Sequence, residues 1–173
     1  MSEIIQQPDN RRAFIDTLIE LAEKDDKIIL IVPDVGFNYI EKFKEKFPER
    51  YFNFGVTEQS TVMIAVGLSL SGFKPYVYSM INFVLFRPYE MVRNGIVHHK
   101  ANVKLLGVKG SSAYKFLGFS HNMNDDEEDI QACNNLGLRC YIPEKGTHGT
   151  SQDRVKHTVF NSYMDPSPAY IRL

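Results

Sequence analysis

Tyr51-Phe52-Asn53-Phe54-Gly55-Val56-Thr57-Glu58-Gln59-Ser60 reads as a short strand, Tyr51 to Phe54, followed by a turn into a helix that continues Val62-Met63-Ile64-Ala65-Val66-Gly67-Leu68. Glu58 falls in the first helical turn, where the helix dipole favours a carboxylate. The helix behind it shows no polar face, and such a helix is expected to be buried all round. Glu58 is therefore expected to point into an apolar place, where its proton affinity rises. Two roles fit: a carboxylate that stabilises a helix start, or a group poised for general acid–base chemistry.

The same rhythm of strand and helix runs through the rest of the chain. Arg12 to Ala22 carries Phe14, Ile15, Leu18, Ile19 and Ala22 at helical spacing. Lys27 to Val32 is a near-continuous apolar run ending at Pro33-Asp34. Tyr39 to Phe47 reads as a short amphipathic helix stopped near Pro48. Gly72 closes the helix begun at Glu58, as glycines past a helix C-terminus do. Pro75 to Ser79 is a strand. Phe83 to His99 is a helix that accommodates Pro88 if the proline lies in its first turn. Val103 to Val108 is a strand, and Gly110 to Asn124 a loop bearing glycine and serine. The acidic run Asp125 to Asp129 reads as the solvated start of a short helix at Ile130. Leu138 to Ile142, Ser151 to Tyr163 and Ala169 to Leu173 follow as strand, helix and strand. Helices alternating with apolar strands imply crossovers between parallel strands. The expected fold is an α/β three-layer sandwich with a mainly parallel sheet, one domain over residues 1–173.

Bulk properties narrow the function. Of the 173 residues, 43% are hydrophobic, enough to fill a core. The formal net charge of -1 implies no electrostatic steering toward nucleic acid or a membrane surface. Cys133 and Cys140 are not in a CxxC arrangement and read as free thiols of a reducing compartment. Met1 to Asn10 is polar and lacks the apolar core of a signal segment. The longest apolar stretch, Val62 to Leu70, is too short to span a bilayer. The expected compartment is the cytoplasm.

In an open parallel sheet, ligands bind beyond the carboxyl ends of the strands. Asp34, Glu58, Phe83, Phe86, Lys109, His121 and Arg172 all follow or end predicted strands, so they are expected on one rim.

Several blocks resemble the central, pyrimidine-binding domain of transketolase and of deoxyxylulose-phosphate synthase. They are Phe47-Pro48-Glu49-Arg50-Tyr51-Phe52-Asn53-Phe54-Gly55-Val56-Thr57-Glu58-Gln59, Ala65-Val66-Gly67-Leu68, Gly72-Phe73-Lys74-Pro75, Phe83 with Arg87-Pro88-Tyr89-Glu90, Ser120-His121, Glu128-Asp129-Ile130, and Pro168-Ala169-Tyr170-Ile171-Arg172-Leu173. The resemblance runs from about Arg12 to the last residue, and the order and spacing of the blocks make it specific.

The resemblance implies a thiamine diphosphate-dependent enzyme whose cofactor lies between two domains, usually of different chains. One domain holds the diphosphate through Mg2+; the kind seen here holds the aminopyrimidine. The family's catalytic glutamate falls on Glu58, which would hydrogen-bond a pyrimidine nitrogen and promote the imino tautomer needed to deprotonate the thiazolium carbon. The aromatic wall falls on Met80, Phe83 and Phe86, with Asp34 and Gln59 beside the cofactor. His121 falls on a histidine that faces the substrate, to bind a hydroxyl or move a proton. Arg172 falls on an arginine that reads a sugar phosphate. Lys109 replaces the histidine usual in transketolases acting on sugar phosphates, and Leu117 stands near a usual substrate-reading aspartate; both leave donor and acceptor open.

The GDG motif that binds diphosphate in this family does not occur in the sequence, and the family's third domain is expected to be absent. The chain is accordingly expected to act with a separate diphosphate-binding subunit of transketolase N-terminal type, as a two-plus-two heterotetramer. The expected reaction is transfer of a two-carbon ketol unit between sugars or sugar phosphates. The alternatives are a split 2-oxo acid decarboxylase or carboligase, and a non-catalytic regulatory module of the same fold.

Overall fold

The computed structural model describes residues 10–108, 116–123, 127–143 and 150–173. Lys109, residues 110–115 and 124 of the Gly110–Asn124 loop, and Asp125 and Asp126 lie outside the described residues. The elements follow in order: α1 (Asn10–Ala22), β1 (Ile28–Val32), α2 (Glu41–Lys46), β2 (Tyr51–Asn53), α3 (Glu58–Leu70) and β3 (Lys74–Met80). A broken helix spans Asn82 to Val97 and contains α4 (Tyr89–Met91). Then come β4 (Lys104–Val108), α5 (Glu128–Leu136), β5 (Arg139–Tyr141), α6 (Ser151–Met164) and β6 (Ala169–Arg172).

The six strands form one sheet in the order β2-β1-β3-β4-β6-β5. Each neighbouring pair is parallel, as the apolar strands between helices predicted. Parallel neighbours need helical crossovers, and these cover both faces of the sheet. Alternate residues of each strand serve opposite layers. Ile28, Leu30, Tyr76, Tyr78, Leu106 and Ile171 pack with Phe14, Leu18, Phe43 and Val159 of α1, α2 and α6. Ile29, Ile31, Val77, Leu105 and Tyr170 pack with Val62, Val66, Leu85, Ile96 and Cys133 on the other face. All five residues of β1 are buried, and each such aliphatic side chain contributes about 1.5–3 kcal/mol.

Three features depart from the sequence expectation. Helix α3 is not buried all round: Val62, Ala65 and Val66 are buried in the core, while Met63 and Ile64 are 45% and 38% exposed. The sheet and the broken helix cover only part of its circumference, and no described element of this chain covers the rest. The helix after β3 is not continuous. It has π-helical turns at Asn82–Phe86 and Val92–Val97, on either side of Pro88 and α4. Proline has no N–H to give to the ladder, and wider turns accommodate it. Third, Asp129 is not part of a solvated helix start but is fully buried.

Candidate functional site

The chain passes from β1 to β2 on one side and returns to place β3 on the other, so the strand order reverses between β1 and β3. A crevice at the carboxyl ends of strands is expected at such a point. A cavity of ≈ 380 Å³ lies there. Its β1 side is a tight loop in which Asp34, Gly36 and Asn38 all adopt positive φ, 55, 92 and 70°. Gly36 is required twice over: its φ favours glycine, and a Cβ would lie 2.8 Å from Tyr78 Cε1. Arg11, at the start of α1, reaches this wall with its guanidinium 4.1 Å above the Tyr39 ring. The opposite wall is Met80, Phe83, Leu117 and His121.

Asn53 ties the loops after β1 and β2 together. Its Oδ1 accepts from the Asp34 N–H at 3.1 Å and from the Gly55 N–H at 2.9 Å. Gly55, at φ 71°, then turns the chain into α3. Glu58 opens that helix and is 5% exposed. Its Oε1 accepts from Arg87 Nη1 at 2.5 Å. The Arg87 guanidinium also lies over the Phe83 ring, 4.1 Å from its centroid. Phe83 meets the His121 ring at a right angle, centroids 4.9 Å apart. His121 Nδ1 is 2.9 Å from Ser120 Oγ, and Asn82 Nδ2 donates to the Asn122 carbonyl at 3.2 Å, joining the loop to the broken helix.

Asp34, Met80, Phe83 and His121 thus surround one cavity. Glu58 is not among the residues lining it and connects to them through Arg87 and Phe83. The carboxyl is buried as expected, yet its surround is not purely apolar. Phe86 is half-buried against the α3-side core. Gln59 is exposed. Arg172 does not line the cavity. Its fork is held by Asp129, with Nε to Oδ2 at 2.9 Å and Nη2 on Oδ1. Tyr170 donates to the same Oδ2 at 2.6 Å. Burial alone would push the Asp129 carboxyl up; the hydrogen bonds from Arg172 and Tyr170 and the Arg172 charge outweigh it and hold it below the usual carboxylate range. Lys109 lies outside the described residues. Among the described residues no three His, Cys, Asp or Glu side chains cluster to hold a metal ion, and no helix is long and apolar enough to cross a membrane.

Sequence reasoning missed Arg87, Arg11 and Asn38. Two arginines in the first turn of α1, Arg11 and Arg12, oppose the helix dipole; that mismatch was the available signal. For Arg87 the signal was weaker, a cation four residues after Phe83 on a helix.

Residues 6–171 match the family model described as the transketolase pyrimidine binding domain. A subunit of the apulose-4-phosphate transketolase of Phocaeicola vulgatus is 36% identical over 164 residues, 94% of this chain and 50% of that protein. The 1-deoxy-D-xylulose-5-phosphate synthase of Listeria monocytogenes serotype 4b is 41% identical over 106 residues, 60% of this chain and 17% of the synthase. A split gene transketolase solved as an inactive β4 tetramer superposes with a TM-score of 0.79 at 28% identity, over 95% of this chain and 50% of its own. The chain thus spans about half the length of two of these relatives. With its parallel sheet, its crevice at the reversal of strand order and its match over nearly the whole length, the chain belongs to the transketolase pyrimidine-binding domain family.

Proposed function

We propose that this chain is one subunit of a split, thiamine diphosphate-dependent transketolase-type enzyme of the cytoplasm. It holds the cofactor's aminopyrimidine at an interface, while a separate chain holds the diphosphate and Mg2+, in a heterotetramer. One observation carries the reading: Glu58 is a buried carboxylate with one oxygen on Arg87, and its Oε2 has no hydrogen-bond partner among the described residues. The residues present fit an aminopyrimidine, since a ring nitrogen needs such an oxygen and the flat ring needs the neighbouring aromatic faces. Bound thiamine diphosphate supplies the carbanion chemistry. The chain's own residues orient it. Glu58 hydrogen-bonds the ring nitrogen, Met80, Phe83 and Phe86 form the wall, and Asp34 and Gln59 border the cofactor.

His121 faces the cavity, where it can bind a donor hydroxyl or move a proton. Lys109 and Arg172 are substrate contacts by resemblance. Arg172 would first have to leave Asp129; Arg11 also stands at the cavity wall, its guanidinium over the Tyr39 ring. The outer face of α3 and its approach, with Val56 67%, Met63 45% and Leu70 63% exposed, supports a subunit interface. Two relatives support it too, since the apulose-4-phosphate enzyme is built from subunits and the β4 tetramer comes from a split gene.

A second reading, a split 2-oxo acid decarboxylase or carboligase, draws on Leu117, an apolar side chain on the cavity wall. The chain paired with its diphosphate-binding partner and given a panel of donors separates the two. The proposal expects two-carbon transfer from a ketose or its phosphate to an aldose. Turnover of 2-oxo acids with no ketose consumed would contradict it.

A further inference from the structure

Arg87 opens the Arg87-Pro88-Tyr89-Glu90 block, and its guanidinium makes two contacts at once. Nη1 donates to Glu58 Oε1 at 2.5 Å, and Cζ lies 4.1 Å from the centroid of the Phe83 ring. The terminal torsion of a glutamate is broad, so burial alone does not set where its oxygens face. Glu58 is 5% exposed and has no other hydrogen-bond partner for its side chain among the described residues. The arginine is therefore what fixes that torsion. Arginine suits the position because its planar fork pairs with a carboxylate while its face stacks on a ring; a lysine ammonium is a point charge that cannot do both in one geometry. The arginine is itself placed by the π-helical turn, whose Arg87 N–H donates to the Asn82 carbonyl at 2.9 Å. Phe83 then meets His121 edge-on across the cavity wall. One line of contacts runs from the buried carboxylate to the face that meets substrate.

The geometry points to Arg87 as a positioning residue: it anchors Oε1 of Glu58 and so presents Oε2 to the ring nitrogen of a heterocycle lying against the aromatic wall. The inference rests on the proposed role of Glu58. Its test uses the chain assembled with its diphosphate-binding partner and loaded with thiamine diphosphate. Misplacing a group by about 1 Å can cost about a hundredfold in rate, and Arg87→Met is expected to lower kcat by about that factor with the KM for the sugar unchanged. The near-UV circular dichroism of the bound cofactor, which reports the tautomer of its aminopyrimidine, is expected to lose its imino band while the cofactor stays bound. In the Glu58→Gln background, Arg87→Met is expected to lower kcat no further. Arg87→Lys keeps the charge without the stack and serves if the methionine variant does not fold; it is expected to lower kcat and the imino band in the same direction. Wild-type kcat and dichroism in either variant, or losses that multiply with those of Glu58→Gln, would overturn the inference. Wild-type turnover by Glu58→Gln alone would instead remove the role of Glu58, and this inference with it.

Discussion

Asp129 and Arg172 form a buried ion pair whose carboxylate is also held by Tyr170, and the strength of that arrangement lies in its completeness. Removing one partner of a buried pair leaves the other charge uncompensated, at about 3–5 kcal/mol. Asp129→Asn is expected to destabilise the chain by about that amount, read as a lower midpoint in urea denaturation. Gly107 bears on the same pair. A Cβ there would lie 2.6 Å from Tyr170 Cε2, so the tyrosine crosses β4 only because the residue is glycine. Gly107→Ala is expected to push Tyr170 off Asp129 and cost about 1–3 kcal/mol, the usual range for overpacking; an unchanged midpoint would contradict this. None of it was legible in the acidic run around Asp129, because a sequence shows charge but not which of the neighbouring acidic residues the fold turns inward. The same limit applied to Glu58. Its place at a helix start was readable from the glycine turn and the apolar run, whereas its partner stands 29 residues away on another element.

At the scale of elements, the periodicities located the strands and helices well because each element buries a regular face. They failed where a helix that is apolar all round is covered on only part of its circumference. Helix α3 reads as wholly apolar, yet part of its surface meets no described element. Ile64→Lys together with Leu70→Glu is expected to leave the fold and its unfolding midpoint unchanged while abolishing association with a partner chain, measured by size-exclusion chromatography with light scattering. The end of the sheet away from the cavity has its own chemistry. Lys104 of β4 is buried and donates to the carbonyls of Asp165 and Ser167 at 2.7 and 2.5 Å. Burial pushes its ammonium down to about 8. For Asp165, burial pushes up, but hydrogen bonds from the Ser167 N–H and Tyr141 and the Arg139 charge prevail and hold it at about 2. An unfolded aspartate titrates near about 3.9, so between these values the unfolded chain binds more protons than the folded one. The Asp165 contribution is therefore present above about pH 4 and lost as the pH falls to about 2. Asp165→Asn is expected to flatten the acid limb of a plot of Tm against pH over that window. Lys104 acts with the same sign at the alkaline end. Its burial disfavours the charged form, so its unfavourable contribution fades as the pH rises from about 8 toward about 10.4.

At the scale of the whole molecule, six parallel strands collect the loops after β1, β3 and β4 at one edge and leave a crevice where the strand order reverses. The glycine turn, the apolar strands and the block spacing made this much legible. Which side chains line the crevice was less so, because Arg11 arrives from a helix that precedes the first strand. The carboxylate does not line the cavity but connects to it through Arg87 and Phe83; in the proposed enzyme a partner chain would complete the cofactor's site. The claim on which this depends is that Glu58 activates a heterocycle held in that position. The most direct measurement is the rate of proton exchange at the thiazolium carbon of thiamine diphosphate bound to the assembled pair, in the wild type and in Glu58→Ala. A positioned acid–base group contributes about 10²–10⁴-fold, and the exchange rate is predicted to fall by about that factor with the pair intact and the cofactor bound. Equal exchange rates in the two proteins would contradict the account.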